Sequence, residues 1–228
     1  MKRSAVNALI RENEAFIAAH GFALPPFCGW SPEDWAHKGS ECDEIRDNML
    51  GWDVTDFGSG MYEKVGLFLI TLRNGNQKDP RYTKPYAEKL MVSMEGQVCP
   101  MHFHWYKQED IINRGGGVLC MQLYNAGPDE ILDTVTPVTI VCDGVCRTLP
   151  AGAVLELAPG ESCTLTQRMY HSFWAKPGCG RCLLGEVSQC NDDNNDNRFA
   201  EPMGRFATVE EDEPAYRLLC NEYPEAKA

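Results

Sequence analysis

The first fifty residues carry apolar side chains at the spacing of amphipathic helices. Between residues 4 and 19 these positions are Ala5, Leu9, Ile10, Phe16 and Ile17. Ser4 is available as an N-cap, and Gly21 with the pair Pro25-Pro26 ends the segment. Further helices are predicted at Ser31-Pro32-Glu33-Asp34, where a cap residue precedes proline and acids, and over residues 41–50. We therefore predict a helical N-terminal arm over residues 1–58.

From residue 60 onward the pattern changes to short apolar runs separated by turn residues. The runs occupy residues 65–72, 90–94, 118–124, 138–142, 153–157, 162–166, 171–175 and 182–188. Asp143-Gly144, which follows one of them, is a strong hairpin signal. Strands at this spacing without intervening helices indicate an antiparallel sandwich or barrel. We assign residues 60–190 to a barrel and residues 191–228 to a mouth loop and C-terminal segment, within one domain spanning 1–228.

Composition and charge narrow the class of protein. The chain has 228 residues, 43% of them hydrophobic, and a formal net charge of −12. A nucleic-acid partner needs a basic face that neutralises phosphates, and the sequence offers none. Arg11, Glu12 and Glu14 interrupt the apolar core that a signal peptide needs, and no run reaches the roughly 20 apolar residues of a membrane span. The eleven cysteines are scattered and odd in number, as reduced thiols are, so we predict a cytoplasmic protein.

Three of the five histidines form a candidate metal site with one glutamate. In His102-Phe103-His104 the two-residue period of a strand would place both imidazoles on one face. Glu109 has the wrong parity for a straight strand, so it must arrive after a turn or bulge, on the neighbouring strand. His171 lies on a much later strand. Such a set suits Mn²⁺, Fe²⁺, Co²⁺, Ni²⁺ or Zn²⁺ and leaves positions open to substrate.

The spacing around these residues resembles that of the cupin family. Gly96, His102, His104, Glu109 and Gly116 reproduce the first cupin motif without an insertion or deletion. The second motif is half present. Gly160 and His171 stand at the family's distance, whereas Thr166, Arg168 and Ala175 replace its proline, glycine and asparagine. The resemblance implies a mainly β fold, the double-stranded β-helix or jelly-roll barrel, with an N-terminal helical segment added to it.

Further segments are similar to one family within the cupins. They are Lys89-Leu90-Met91, His104-Trp105, Gly115-Gly116-Gly117, Glu186-Val187-Ser188, Asn191-Asp192-Asp193-Asn194, Asn197-Arg198-Phe199 and Glu201-Pro202-Met203-Gly204-Arg205-Phe206. From about residue 30 to residue 206 the chain resembles the D-lyxose isomerase family. The resemblance implies a homodimeric, manganese-dependent enzyme that interconverts D-lyxose and D-xylulose, often with slower action on D-mannose and D-fructose.

The residues are compatible with that chemistry. Aldose–ketose isomerisation needs a Lewis acid at O1 and O2 and a base that carries a proton between C1 and C2. One metal suffices for this route, whereas a hydride shift more commonly uses two metals, for which the acidic ligands are too few. We therefore expect a cis-enediol mechanism. The acidic composition agrees with a small neutral monosaccharide as substrate, because phosphorylated sugars usually need an arginine cluster or an amide cradle.

Several residues are candidates for catalysis and substrate binding. The candidate bases are the carboxylates that strand alternation turns inward or that lie in the mouth loop, namely Glu186, Asp192, Asp196 and Glu201. The family resemblance favours Glu201 and Glu186 without choosing between them. Lys89 is suited to donate a hydrogen bond to a sugar hydroxyl or to a developing oxyanion. We further expect Asp192, Arg205 and the aromatic face of Trp105 to contact the substrate.

Three alternatives remain open from the sequence. An iron cupin dioxygenase would use the same four ligands, and only the isomerase resemblance outside the motif argues against it. A sugar-binding or regulatory cupin without enzymatic activity often lacks one of the ligands, all of which are present here. A structural dimerisation module would leave the intact ligand set unexplained.

Overall fold

A computed structural model describes residues 1–226 and has a mainly β fold. Its α-helices are α1 (Arg3–Ala19), α2 (Pro32–Trp35) and α3 (Asp43–Asp47), and short 3₁₀ helices lie at Pro26–Gly29 and Ser40–Cys42. The first seven strands, β1 to β7, are Gly51–Thr55, Leu67–Arg73, Tyr86–Ser93, Cys99–Phe103, Glu109–Gly116, Leu119–Ala126 and Leu132–Asp133. The next seven, β8 to β14, are Val138–Cys142, Val145–Leu149, Val154–Leu157, Ser162–Leu165, Met169–Ala175, Cys182–Gln189 and Arg198–Phe199.

The strands form two antiparallel sheets. The larger has the order β1-β2-β3-β13-β5-β11-β8-β9, and the smaller has the order β10-β6-β12-β4-β14, with β7 paired to β6. Several neighbours, such as β3 with β13 and β5 with β11, are distant in sequence, as a jelly roll requires. Apolar residues from both sheets, including Met91, Ile111, Leu123 and Phe173, form one buried cluster. The predicted double-stranded β-helix is confirmed.

Helix α1 covers the outer face of the larger sheet. Along β2, Leu67 and Leu69 point into the core between the sheets, and Phe68 and Ile70 point to the opposite face. There Phe68 and Ile70 join a second apolar cluster that includes Ile10 of α1. The strand is therefore buried on both faces, which explains why its sequence reads as a continuous apolar run. Neither α1 nor any other helix in the described part of the chain is long and apolar enough to cross a membrane.

The N-terminal region differs in detail from the predictions. Helix α1 begins one residue early, after Lys2, and the hydroxyl of Ser4 does not cap it but donates a hydrogen bond to Asp212. The helix predicted over residues 41–50 is reduced to α3, which has 5 residues. Strand β1 lies inside the range predicted to be helical. All five of its residues are buried, so it lacks the alternation that reveals a strand.

The C-terminal segment fastens α1 to the rest of the fold. The buried guanidinium of Arg3 forms ion pairs with Glu211 at 2.6 Å and Glu222 at 2.5 Å. Near the end of the described chain, Tyr223 donates a hydrogen bond to the carbonyl of Leu50 at 2.8 Å. Residues beyond the barrel therefore close over the start of β1, which carries Asp53 toward the site described below.

We predict that Gly51→Ala destabilises the protein far more than Gly144→Ala. Both glycines have positive φ, +113° and +81°, but a Cβ at Gly51 would lie 2.0 Å from the Tyr223 hydroxyl, whereas a Cβ at Gly144 meets no atom within 4 Å. We expect a loss of about 1 kcal/mol in unfolding free energy at Gly144 and about 3 kcal/mol at Gly51, measured by urea titration. Equal losses would contradict the tight closure of this segment.

Candidate metal centre and active site

The three predicted histidine ligands meet between the two sheets. His102 lies on β4, and His104 follows directly after that strand. His171 lies on β12, where it pairs with His102. One ring nitrogen from each can be chosen so that all three lie within 4.8 Å of one another. All three side chains are buried. Strand alternation thus brings residues that are almost seventy positions apart to one point.

Backbone carbonyls orient each imidazole. In each ring Nδ1 donates to a carbonyl oxygen: His102 to Pro100 at 2.7 Å, His104 to Asp196 at 2.7 Å and His171 to Met169 at 3.0 Å. Because a carbonyl can only accept, a neutral ring then keeps its Nε2 lone pair free for a metal ion. Burial, with the neighbouring His171 and His104, holds the pKa of His102 well below its usual value. His102 therefore favours the neutral form that metal binding needs.

Glu109 completes the set from the first position of β5. Its Oε1 lies 3.4 Å from His104 Nε2 and 3.2 Å from His171 Nε2. A turn over residues 104–108 brings it there, as its parity required. Burial by itself would raise the pKa of Glu109, but Lys107 and His104 lower it well below its usual value. Three imidazoles with a carboxylate oxygen beside two of them fit a divalent cation.

A buried ion-pair chain leads from Glu109 to Glu186. The register of β13 on β3 places Glu186 opposite Lys89, and that of β13 on β5 places Ser188 opposite Glu109. Glu186 Oε1 lies 2.9 Å from the Lys107 ammonium, 3.5 Å from that of Lys89 and 3.1 Å from the Ser188 hydroxyl. Its other oxygen, Oε2, accepts no hydrogen bond from residues 1–226. Glu186 therefore keeps one carboxylate oxygen without a protein donor.

Arg205 anchors a second group of charges beside the first. Its Nη2 lies 2.6 Å from Asp53 and 2.7 Å from Asp193, and Asp193 also lies 3.5 Å from Lys89. Although burial alone would raise the pKa of Asp193, Lys89 and Arg205 lower it well below the usual value. Nη1 of Arg205 is buried without a hydrogen-bond partner among the described residues. A donor in that state is available to a ligand.

These groups line one small cavity of about 60 Å³. Its polar wall contains His102, His104, His171, Glu109, Lys107, Glu186, Lys89, Asp193, Asn197 and Arg205, and its apolar wall contains Phe57, Leu67, Leu69, Met91, Ile111, Phe173 and Phe199. Phe57 has a φ of +53°, which is unusual for a bulky residue. It packs edge-on against Phe199, with ring centroids 5.8 Å apart. A polar wall opposite aromatic rings suits a sugar, whose C–H faces are apolar.

The other predicted site residues lie outside this cavity. Glu201 is exposed to solvent. Asp192 lines a neighbouring cleft of about 230 Å³ and binds Lys78 at the surface. The indole of Trp105 donates to Glu130 at 2.7 Å and packs against Phe103. Their predicted roles in catalysis and substrate binding remain predictions, whereas Lys89, Glu186 and Arg205 do lie beside the histidines.

Sequence reasoning missed Lys107, Asp193, Phe57 and Phe199. Asp193 and Phe199 lie in segments quoted for the family resemblance but were given no role, and Lys107 lies between two metal-ligand positions, a signal that could have been used. The sequence around Phe57 gave no such signal, because the inward direction of its side chain depends on a left-handed backbone that the sequence does not reveal.

Arg168 shows the opposite case. It stands where the cupin motif has glycine and adopts the positive φ, +61°, that glycine would favour, so the turn before His171 is kept.

A double-stranded β-helix that gathers three histidines and a glutamate between its sheets defines a cupin. The sequence profile described as D-lyxose isomerase matches residues 1–223. The chain is 50% identical over 224 residues to a D-lyxose/D-mannose isomerase of Serratia proteamaculans, and 48% identical over 224 residues to one of Escherichia coli O157:H7. Each alignment covers 98% of both chains. The chain therefore belongs to the D-lyxose isomerase family, and the predicted resemblance is confirmed.

Solved structures agree with this fold. An L-ribose isomerase mutant of Acinetobacter sp. DL28 in complex with L-ribose superposes with a TM-score of 0.61 at 15% identity, covering 92% of this chain and 98% of that one. An L-ribose isomerase of Cellulomonas parahominis with L-ribose gives 0.60 at 18% identity, with the same coverage. At such identities the likeness supports the fold alone.

We predict that Asp196→Ala weakens the turn that carries His104, while Asp192→Ala, in the same loop, does not. The Asp196 carboxylate accepts hydrogen bonds from the backbone N–H groups of Tyr106 and Lys107, both at 2.9 Å. We expect Asp196→Ala to lower the unfolding free energy by about 2 kcal/mol, because a buried charged acceptor is lost. For Asp192→Ala, at the surface, we expect less than about 1 kcal/mol. Similar losses in urea titration would show that Asp196 has no special role.

Proposed function

We propose that the protein is a metal-dependent aldose–ketose isomerase that interconverts D-lyxose and D-xylulose, and also D-mannose and D-fructose. The observation that carries the proposal is that Glu186 lines the same buried cavity as the three histidines and Glu109. A carboxylate with a free oxygen beside a metal-binding cluster supplies the base and the Lewis-acid position that isomerisation needs. The names of the relatives support this substrate class.

In the proposed reaction the side chains each have a defined task. A divalent cation held by the histidines and Glu109, for which we propose Mn²⁺, would draw electron density from O1 and O2 of the open-chain sugar. Glu186 removes the proton from C2 of the aldose, and the proton of the O2 hydroxyl passes to O1 within the resulting cis-enediolate. Glu186 then returns its proton to C1 as the C2–O2 carbonyl forms, which gives the ketose and restores the carboxylate. Lys89 stabilises the negative charge that develops on the sugar oxygens.

The cavity also supports a neutral sugar. Lys89, Lys107 and Arg205 are its cations, and each is already paired with a carboxylate. A phosphate group would need free arginines or a run of unpaired amides. Phe57 and Phe199 provide an apolar surface for the C–H face of the sugar, in the place where we had expected Trp105.

We predict that His171→Ala abolishes metal binding and activity, while His37→Ala leaves both unchanged. His37 is exposed to solvent and does not line the cavity. After treatment with chelator and reloading with Mn²⁺, the wild type should bind one ion per chain and convert D-lyxose to D-xylulose. Metal content measures the first effect, and ketose formation measures the second. Conversion by fully chelated protein would contradict the metal requirement.

We predict that Glu186→Gln lowers kcat by roughly 10²–10⁴-fold, the usual contribution of a general base, with one Mn²⁺ per chain retained. Glu201→Gln is the matched comparison, since the exposed carboxylate of Glu201 lies outside the cavity, and we expect less than about a tenfold change. The reverse ranking would make Glu201 the base and imply that its loop moves toward the cavity.

An iron dioxygenase remains the second candidate, because the same four side chains would serve it. Oxygen uptake by the Fe²⁺-loaded protein, with no conversion of lyxose, mannose or xylulose by the Mn²⁺ form, would favour it.

We also propose a reducing, cytoplasmic location, since all eleven cysteines lie in the described part of the chain and none forms a disulfide. The homodimer remains a prediction from the family resemblance.

A further inference from the structure

Among residues 1–226, Lys107 is the one cation in the cavity that contacts both Glu109 and Glu186. Its ammonium lies 2.7 Å from Glu109 Oε2, 2.9 Å from Glu186 Oε1 and 3.2 Å from Asn191 Oδ1. An ammonium has three protons to donate, so these three acceptors satisfy it completely. The side chain is almost fully buried. A lysine in this state has no donor left for a substrate.

The fold holds Lys107 through its backbone as well as through its side chain. Residues 104–108 form the turn between β4 and β5, and the Asp196 carboxylate binds the backbone N–H of Lys107. Glu109 has two different oxygens: Oε2 faces the ammonium, and Oε1 faces the imidazoles of His104 and His171.

We propose that Lys107 is a positioning residue that restricts Glu109 to one coordinating oxygen and holds Glu186 at a fixed distance from the same metal centre. The proposal deepens the isomerase function and rests on it for the role of Glu186. Three imidazoles and one carboxylate oxygen use four positions of a six-coordinate ion, so two remain for O1 and O2 of the sugar. A glutamate that coordinated through both oxygens would leave only one.

The same ammonium also keeps two carboxylates close together. Glu109 and Glu186 both lie within 2.9 Å of its nitrogen, and in a buried site their charges would otherwise repel each other. Without Lys107, Glu109 Oε2 would lose its partner and turn toward the cation, and Glu186 would move away. The predicted defect is therefore a changed coordination, not a lost ligand.

Lys89 provides a matched control. It is equally buried, and it also contacts Glu186 and Asn191, at 3.5 Å and 2.6 Å, but it does not contact Glu109. Lys107→Met and Lys89→Met each remove one buried positive charge beside Glu186. Only Lys107→Met removes the partner of Glu109 Oε2, so the two variants separate an effect on Glu109 from a general effect of charge.

The test is the electron paramagnetic resonance spectrum of bound Mn²⁺ in both variants, with and without D-lyxose, beside steady-state kinetics. We expect Lys107→Met to retain one Mn²⁺ per chain, with its Kd changed by less than about 100-fold. Its sugar-free spectrum should differ from wild type, its response to sugar should be lost, and kcat/KM should fall by at least about 100-fold. The sugar-free spectrum of Lys89→Met should match wild type.

Three outcomes would overturn the proposal: a wild-type spectrum and near wild-type kcat/KM in Lys107→Met, the same spectral change in Lys89→Met, or a folded Lys107→Met that binds no Mn²⁺. If Lys107→Met fails to fold, Lys107→Gln, which still donates to one carboxylate, takes its place under the same criteria. If the wild type does not isomerise sugars, the proposed function fails, but the sugar-free spectra still decide whether Lys107 restricts Glu109.

Discussion

Charged side chains in the interior of a β protein must neutralise one another, and this constraint governs the site. Lys89, Lys107 and Arg205 face the carboxylates of Glu109, Glu186, Asp53 and Asp193. Burying an unpaired charge would be strongly unfavourable, so each of these residues fixes the position of its neighbours. The members come from β1, β3, β5, β13 and three segments outside the strands, which hold Lys107, Asp193 and Arg205, so the closed fold is needed to assemble the group.

The geometry of the sheets explains how so many polar residues share one small cavity. Alternation along β3, β4, β5, β12 and β13 sends every second side chain inward, and the register of paired strands brings those side chains level with one another. Carbonyl groups and the Asp196 carboxylate then fix rings and turns. The remaining wall is apolar, and Phe57 completes it by adopting an unusual backbone conformation. Strands therefore hold His102, Glu109, His171 and Glu186, while hydrogen-bonded loops hold His104 and Lys107.

The sequence was sufficient for the fold class and for the convergence of His102, His104 and His171, because both depend on local period and motif spacing. It also required Glu109 to follow a turn, which the structure confirms. It could not place β1, whose residues are buried on both faces, or the inward direction of Phe57. Partners such as Lys89 with Glu186 are set by strand register between distant segments, which periodicity does not determine.

In the proposed reaction this buried site moves a proton between C1 and C2 of a sugar. The most direct measurement is the Mn²⁺-loaded protein acting on D-lyxose in deuterium oxide, with NMR of the D-xylulose formed and of the recovered D-lyxose. We expect solvent deuterium at C1 of the ketose and at C2 of the aldose, because a carboxylate carries the proton. Complete retention of the substrate hydrogen over many turnovers would contradict it and indicate a hydride shift.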